Sequence, residues 1–98
     1  MSLRHVAMFR FLPDVGADRL RTLEDALSKL PDQISELEAY AFGQDLGLSD
    51  TTWDFVVVAD VADADAFERY RSHPAHVAVV QDQFGPIVAE RAAVQIQL

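Results

Sequence analysis

Apolar residues alternate with other residues along four stretches of the chain, as they do in β-strands. These stretches cover residues 3–12, 37–45, 53–61 and 91–98. In the first and third stretches both alternating sets of positions are largely apolar, which indicates strands that are covered on both faces. In the last stretch only one set is clearly apolar, so we predict an edge strand there.

Two segments between these strands have the spacing of helices. In the first, four leucines recur three or four residues apart, with charged residues between them: Leu20, Leu23, Leu27 and Leu30. This helix is predicted to end before Pro31. In the second segment, Asp63 suits the N-cap of a helix over residues 64–71, and Pro74 suits the first turn of a shorter helix that reaches about Phe84.

The order β-α-β-β-α-β predicts an α+β fold of the ferredoxin-like type, with a four-stranded antiparallel sheet whose first and third strands are central. Two helices can cover only one face of such a sheet. The opposite face is also apolar, through Val6, Met8, Leu12, Val56 and Val58, and this patch is too large to leave exposed to water. We therefore predict a single domain over residues 1–98 that forms a homodimer, in which a second copy covers the open face.

Composition narrows the classes of partner. Half of the residues are hydrophobic and 24% are charged, which is typical of a folded globular domain. The 16 acidic and 8 basic side chains give a formal net charge of -8, which repels phosphate groups, so neither nucleic acid nor an anionic membrane is expected as a partner. The absence of cysteine excludes disulfide bonds, thiolate metal ligands and a thiol nucleophile.

The apolar runs are short. The longest, residues 55–59, is far below the ~20 residues that a helix needs to cross a bilayer. The first residues enter a strand pattern directly and lack the pattern of a secretory signal. We therefore expect a soluble protein in the cytoplasm.

Three segments of the sequence resemble the stress-responsive A/B barrel (Dabb) family. They are Arg4-His5-Val6 with the strand end Phe9-Arg10-Phe11, the loop with Gly43-Gln44-Asp45, Gly47 and Ser49-Asp50, and Tyr70 followed by His73-Pro74-Ala75-His76. The last segment is the most specific, and the resemblance extends over essentially the whole chain. It implies a ferredoxin-like monomer and a dimer whose two sheets form a barrel.

The resemblance also implies candidate catalytic residues. Some plant members of the family are polyketide cyclases, which close a linear poly-β-keto chain by an aldol step with a Tyr and a His in a cavity between sheet and helices. The matching positions in this sequence are Tyr70 and His76, with His5 at the start of the first strand.

Each of these three side chains has a chemical role and an ordinary structural one. A neutral imidazole at His76 could remove a proton next to a carbonyl group, since its usual pKa is about 6.5, or His76 could be hydrogen-bonded for packing. The Tyr70 phenol could stabilise the oxygen that gains negative charge, or Tyr70 could pack on the sheet. His5 could lie at the mouth of the same cavity, or act as a cap or dimer contact.

The expected cavity wall consists of apolar residues from the sheet and the helices: Ala7, Phe9, Leu23, Leu27, Val57, Ala59, Val79 and Ile87. No metal site is expected, because the three histidines form no HxH or HxxxH pair. No cofactor is expected either, because the glycines do not have the spacing of a phosphate-binding loop. The function predicted from the family is a cofactor-free cyclase that acts on small keto or polyketide-like compounds. Two alternatives remain: a non-catalytic dimer that binds an apolar keto or aromatic ligand or serves in a stress response, and a cofactor-free monooxygenase.

Overall fold

The computed structural model describes residues 2–98 as a four-stranded sheet with helices on one side. In chain order the elements are β1 Leu3–Phe11, α1 Ala17–Ser28, α2 Leu30–Gln33, β2 Ala39–Gln44, β3 Phe55–Val61, α3 Ala64–Ser72, α4 Pro74–Val79, a π turn Val80–Phe84, and β4 Val88–Gln97. Every helix among residues 2–98 is too short or too polar to span a lipid bilayer.

The strands are ordered β2-β3-β1-β4, and each neighbouring pair is antiparallel. This is the ferredoxin-like arrangement, so the predicted fold and the central positions of the first and third strands are confirmed. The register places His5 opposite Ala59 on one side and opposite Gln95 on the other. Residues opposite one another share a face of the sheet, so the register decides which side chains meet below the helices.

The hydrophobic core lies between the helices and the face of the sheet that carries His5, Ala7 and Phe9. Helix α1 contributes Leu23 and Leu27, which are almost fully buried. The remaining buried apolar residues come from α2, β3, α3, α4, the π turn and the adjoining loops: Leu30, Ile34, Phe55, Val57, Ala59, Val61, Ala66, Tyr70, Val79, Phe84 and Ile87.

Several boundaries differ from the sequence prediction for local reasons. Helix α1 ends at Ser28, and Pro31 lies in the first turn of the separate helix α2, where a missing N–H costs nothing. The predicted helix to Phe84 is regular only to Val79 and then widens into the π turn, in which Gly85 N–H donates to the carbonyl of Val80 at 2.9 Å. Strand β4 begins earlier than predicted, at Val88.

The other face of the sheet, which we call the open face, carries no helix. It includes Met8, Val94 and Ile96, whose exposed fractions are 39%, 56% and 50%. A two-pronged ion pair between Arg4 and Asp60, at 2.8 and 2.9 Å, lies on the same face. A single chain thus leaves a largely apolar sheet surface in contact with water.

Candidate active site

A cavity of about 420 Å³ lies between the helix-covered face of the sheet and the segment from α3 to the π turn. Its wall is mostly apolar. The residues that line it come from every strand and from most of the helices: His5, Ala7, Phe9, Leu27, Tyr40, Val57, Tyr70, Arg71, His76, Val77, Val79, Val80, Gln81, Phe84, Gly85, Val88 and Arg91.

His5 is buried in β1 and held by its neighbour across the sheet. The amide nitrogen of Gln95 lies 2.8 Å from Nδ1 of His5. Because an amide nitrogen can only donate, Nδ1 accepts this bond and the ring proton of neutral His5 lies on Nε2. Burial lowers the pKa of His5 to about 4, and the nearby charges of Arg91, His76 and Arg71 act in the same direction. His5 is therefore a neutral hydrogen-bond donor at pH 7.

His76 is positioned by the break between α3 and α4. His73 ends α3 in extended conformation and caps α4, with its Nδ1 accepting from the N–H of Ala75 at 3.0 Å. His73 thus has a structural role at the start of α4. The sharp turn brings Nδ1 of His76 to 2.9 Å from the carbonyl oxygen of Arg71.

That contact decides where His76 carries its proton. A carbonyl oxygen can only accept, so Nδ1 of His76 donates and Nε2 of the neutral ring keeps a free lone pair. Burial lowers the pKa of His76, against the opposing effect of the hydrogen bond to Arg71. The two histidines of the cavity are thus neutral at pH 7 in opposite tautomers, and His76 is the one that can accept a proton.

Two tyrosines, Tyr40 and Tyr70, add hydroxyl groups to the wall. The Tyr70 ring centroid lies 4.5 Å from that of His76. Burial raises the pKa of Tyr70 to about 12, while the nearby Tyr40 hydroxyl and the charge of Arg91 oppose this shift. Burial also raises the pKa of Tyr40, and the proximity of Tyr70 adds to the effect. Both phenols therefore stay protonated and can donate hydrogen bonds.

The arrangement combines one proton acceptor with several donors in apolar surroundings. A base and an oxygen-stabilising donor are the groups that proton removal next to a carbonyl requires. Among residues 2–98, no group of three or more His, Asp or Glu side chains is placed to hold a metal ion.

The family model described as the stress responsive A/B barrel domain matches residues 3–97. The chain belongs to this family. Its relatives include an uncharacterised protein of Streptomyces coelicolor, 35% identical over 80 residues, which are 80% of this chain and 82% of that protein.

Solved structures resemble this A/B barrel domain over its full length. A dimeric ferredoxin-like protein of unknown function from Thermobifida fusca is 46% identical, with a TM-score of 0.92, and the match covers 100% of this chain and 92% of that one. The hydroxynitrile lyase from Passiflora edulis is 13% identical, with a TM-score of 0.85 over 99% of this chain and 93% of that one. At this low identity, the similarity is evidence only for a shared fold.

The A/B barrel structure brings together most of the side chains that the sequence singled out. His5, Tyr70 and His76 line one cavity, together with five of the apolar candidates: Ala7, Phe9, Leu27, Val57 and Val79. The other three candidates, Leu23, Ala59 and Ile87, are buried but do not line the cavity. Here the prediction needs correction, because burial beneath the helices placed these residues in the packed core and not beside open space.

The sequence analysis missed other residues that line the cavity of this A/B barrel domain. Tyr40 lies on the same face of β2 as Phe42. The alternation of these two aromatic residues with small residues in the sequence could therefore have identified Tyr40. Arg91 had no such signal, because its position opposite Phe9 depends on the register between β1 and β4. Phe84 reaches the cavity through the π turn and stacks on Phe9 with ring centroids 4.2 Å apart.

Proposed function

We propose that the cavity is the active site of a cofactor-free enzyme that removes a proton from the carbon beside a carbonyl group of a small keto compound. The reaction that fits best is an intramolecular aldol closure of a linear polyketone. The observation that carries this proposal is the 2.9 Å contact between Nδ1 of His76 and the Arg71 carbonyl, since it leaves Nε2 unprotonated.

In the proposed reaction, Nε2 of His76 takes a proton from a carbon next to one carbonyl group. The electron pair left on this carbon forms a bond to a distant carbonyl carbon of the same molecule. The oxygen of that second carbonyl gains negative charge, which Tyr70 stabilises by donating a hydrogen bond. The oxygen then takes up the proton from His76, which gives a cyclic alcohol. Loss of water and enolisation of the remaining ketones convert this ring to the aromatic product.

The surroundings support this assignment of roles. The lowered pKa of His76 keeps it in the neutral, basic form at pH 7. The raised pKa of Tyr70, about 12, keeps its hydroxyl proton in place. Apolar neighbours such as Val57 and Val79 make the surroundings less polar than water, and a hydrogen bond to a developing charge is stronger in such surroundings.

We also propose that the protein works as a homodimer with the two open faces packed together. The exposed apolar side chains Met8, Val94 and Ile96 support this, because single chains rarely leave such a sheet surface uncovered. The Thermobifida fusca relative, which is described as dimeric, gives independent support.

The test uses 2,4,6-heptanetrione, which closes by one aldol step and loss of water to 5-methylresorcinol. The wild type should accelerate formation of the aromatic product, followed by its ultraviolet absorbance. H76A should lower the rate by about 10² to 10⁴, the usual contribution of a general base. Y70F should lower it by about 10² to 10³, the usual cost of one lost oxyanion donor.

His73 offers a matched control, because it neighbours the site but does not line the cavity. H73N keeps a side chain that can cap α4 and should react at the wild-type rate. If H76A and Y70F react as fast as the wild type, the enzymatic proposal is wrong and a ligand-binding role replaces it.

A further inference from the structure

The charges around the cavity have the opposite sign to the protein as a whole. Arg71 and Arg91 line the cavity, whereas no Asp or Glu among residues 2–98 does so. The net charge of the chain is -8. This local excess of positive charge favours a negatively charged group at the cavity in spite of the overall repulsion.

The two arginines differ in what they already bind. Nη2 of Arg71 donates to both carboxylate oxygens of Glu68, each at 2.9 Å. Arg91 forms no salt bridge and no side-chain hydrogen bond with any other residue in the range 2–98. The other arginines are all engaged: Arg4 with Asp60, Arg10 with Glu90, Arg19 with Gln83, Arg21 with Asp18 and Arg69 with Glu36. The guanidinium of Arg91 thus has its donors available beside a cavity.

The register between β1 and β4 separates Arg91 from His5 along the sheet. Arg91 lies opposite Phe9 on β4, four residues before Gln95, which bonds to His5. Four residues of a strand span about 13 Å. The charge of Arg91 contributes to lowering the pKa values of His5 and His76, so the guanidinium is electrostatically coupled to the histidines.

We propose that the ligand of the cavity is an elongated acid whose carboxylate binds Arg91 at the β4 edge while its apolar, keto-bearing part lies in the cavity. This inference rests on the proposed function, because it takes the cavity to be the ligand site. A planar guanidinium can hold a carboxylate by two parallel hydrogen bonds. One unpaired guanidinium balances a single negative charge, and it is the charged group of the wall that has no partner of opposite charge within residues 2–98.

The experiment compares two probes of nearly the same shape, of which only the first is charged: 4-phenylbutanoate and 4-phenylbutanamide. Binding to the full-length protein is followed by ¹H–¹⁵N NMR titration at low ionic strength. The wild type should bind the acid about five- to tenfold more tightly than the amide. This ratio corresponds to an interaction stronger than an exposed ion pair and weaker than a fully formed two-pronged arginine contact. R91Q should remove this preference and leave the affinity for the amide unchanged.

Two further variants serve as controls. R91K keeps the charge without the planar fork and should keep part of the preference. R69Q removes an exposed arginine that does not line the cavity, and this variant should keep the full preference for the acid. The NMR spectra show directly whether each variant is folded.

The outcomes separate this inference from the proposed function. Equal affinity of the wild type for acid and amide, or a preference that survives in R91Q, would overturn the inference and leave the proposed function standing. Failure of both probes to bind the wild type would likewise overturn the inference. The proposed function is decided separately, by the turnover of 2,4,6-heptanetrione.

Discussion

Lowering the pH from 7.5 to 4.5 should destabilise the protein through His5. In the folded protein the pKa of His5 is about 4, chiefly because the ring is buried, with further contributions from the nearby charges of Arg91, Arg71 and, once it is protonated, His76. In the unfolded chain it returns to about 6.5. Between these two values the unfolded state binds the additional proton, so the free energy of unfolding falls as the pH falls.

The size of the effect follows from the two pKa values. Between the two pKa values, the free energy of unfolding falls by about 1.4 kcal/mol for each pH unit below 6.5. At pH 4.5 it is therefore about 2 to 3 kcal/mol lower than at pH 7.5. The loss levels off below pH 4, where both states are protonated. With a urea slope of about 1 to 1.5 kcal/mol per molar, the midpoint of unfolding should fall by about 2 M.

The assay is urea unfolding at both pH values, followed by the fluorescence of Trp53 at fixed protein concentration and ionic strength. H5N separates His5 from other groups, such as His76, whose pKa is lowered in the same direction. Asparagine keeps an acceptor for the amide of Gln95 and does not titrate. H5N should therefore lose about 2 to 3 kcal/mol less than the wild type between the two pH values. Equal losses in both proteins, or a His5 pKa near 6.5 by NMR, would refute the reasoning.

Three further predictions concern packing, capping and assembly. G85A should cost about 1 to 3 kcal/mol of stability in urea, because a Cβ at Gly85 would lie 2.7 Å from the carbonyl oxygen of Gln81, whereas G16A, with nothing within 4 Å of its new methyl group, should cost nothing. D63A should cost about 1 kcal/mol in the same assay, because Asp63 accepts from Ala66 N–H at 2.8 Å at the start of α3, and D63N should recover most of it. V94D should convert the dimer to a monomer in sedimentation equilibrium by placing a charge in the apolar interface, while T22D on the exposed side of α1 should not; a V94D protein that remains dimeric would contradict the proposed packing of the open faces.

Much of this fold was predictable because its determinants are local. The alternation in residues 3–12 and 53–61 identified the two central strands, since only strands covered on both faces are apolar at both sets of positions. Asp63 was correctly predicted as an N-cap because its side chain bonds within its own turn. The same alternation placed His5 on the helix-covered face and Val6 on the open face.

The candidate site was predictable only in part. Tyr70 and His76 were identified through a family pattern and not through periodicity, and such a pattern does not reveal the tautomer of His76. The tautomer depends on a single contact, that of Nδ1 of His76 with the Arg71 carbonyl. A contact of this kind depends on the sharp turn at His73 and Pro74, which spacing along the chain does not describe.

The sequence by itself determined the order of the elements and the apolar face of each strand, because periodicity and capping act over a few neighbouring residues. Only the tertiary structure decided which buried residues border open space and which fill the core, as the difference between Leu27 and Leu23 shows. It alone also brought Arg91 to the cavity, because the register between β1 and β4 arises from side chains that are distant in sequence and packed across the sheet.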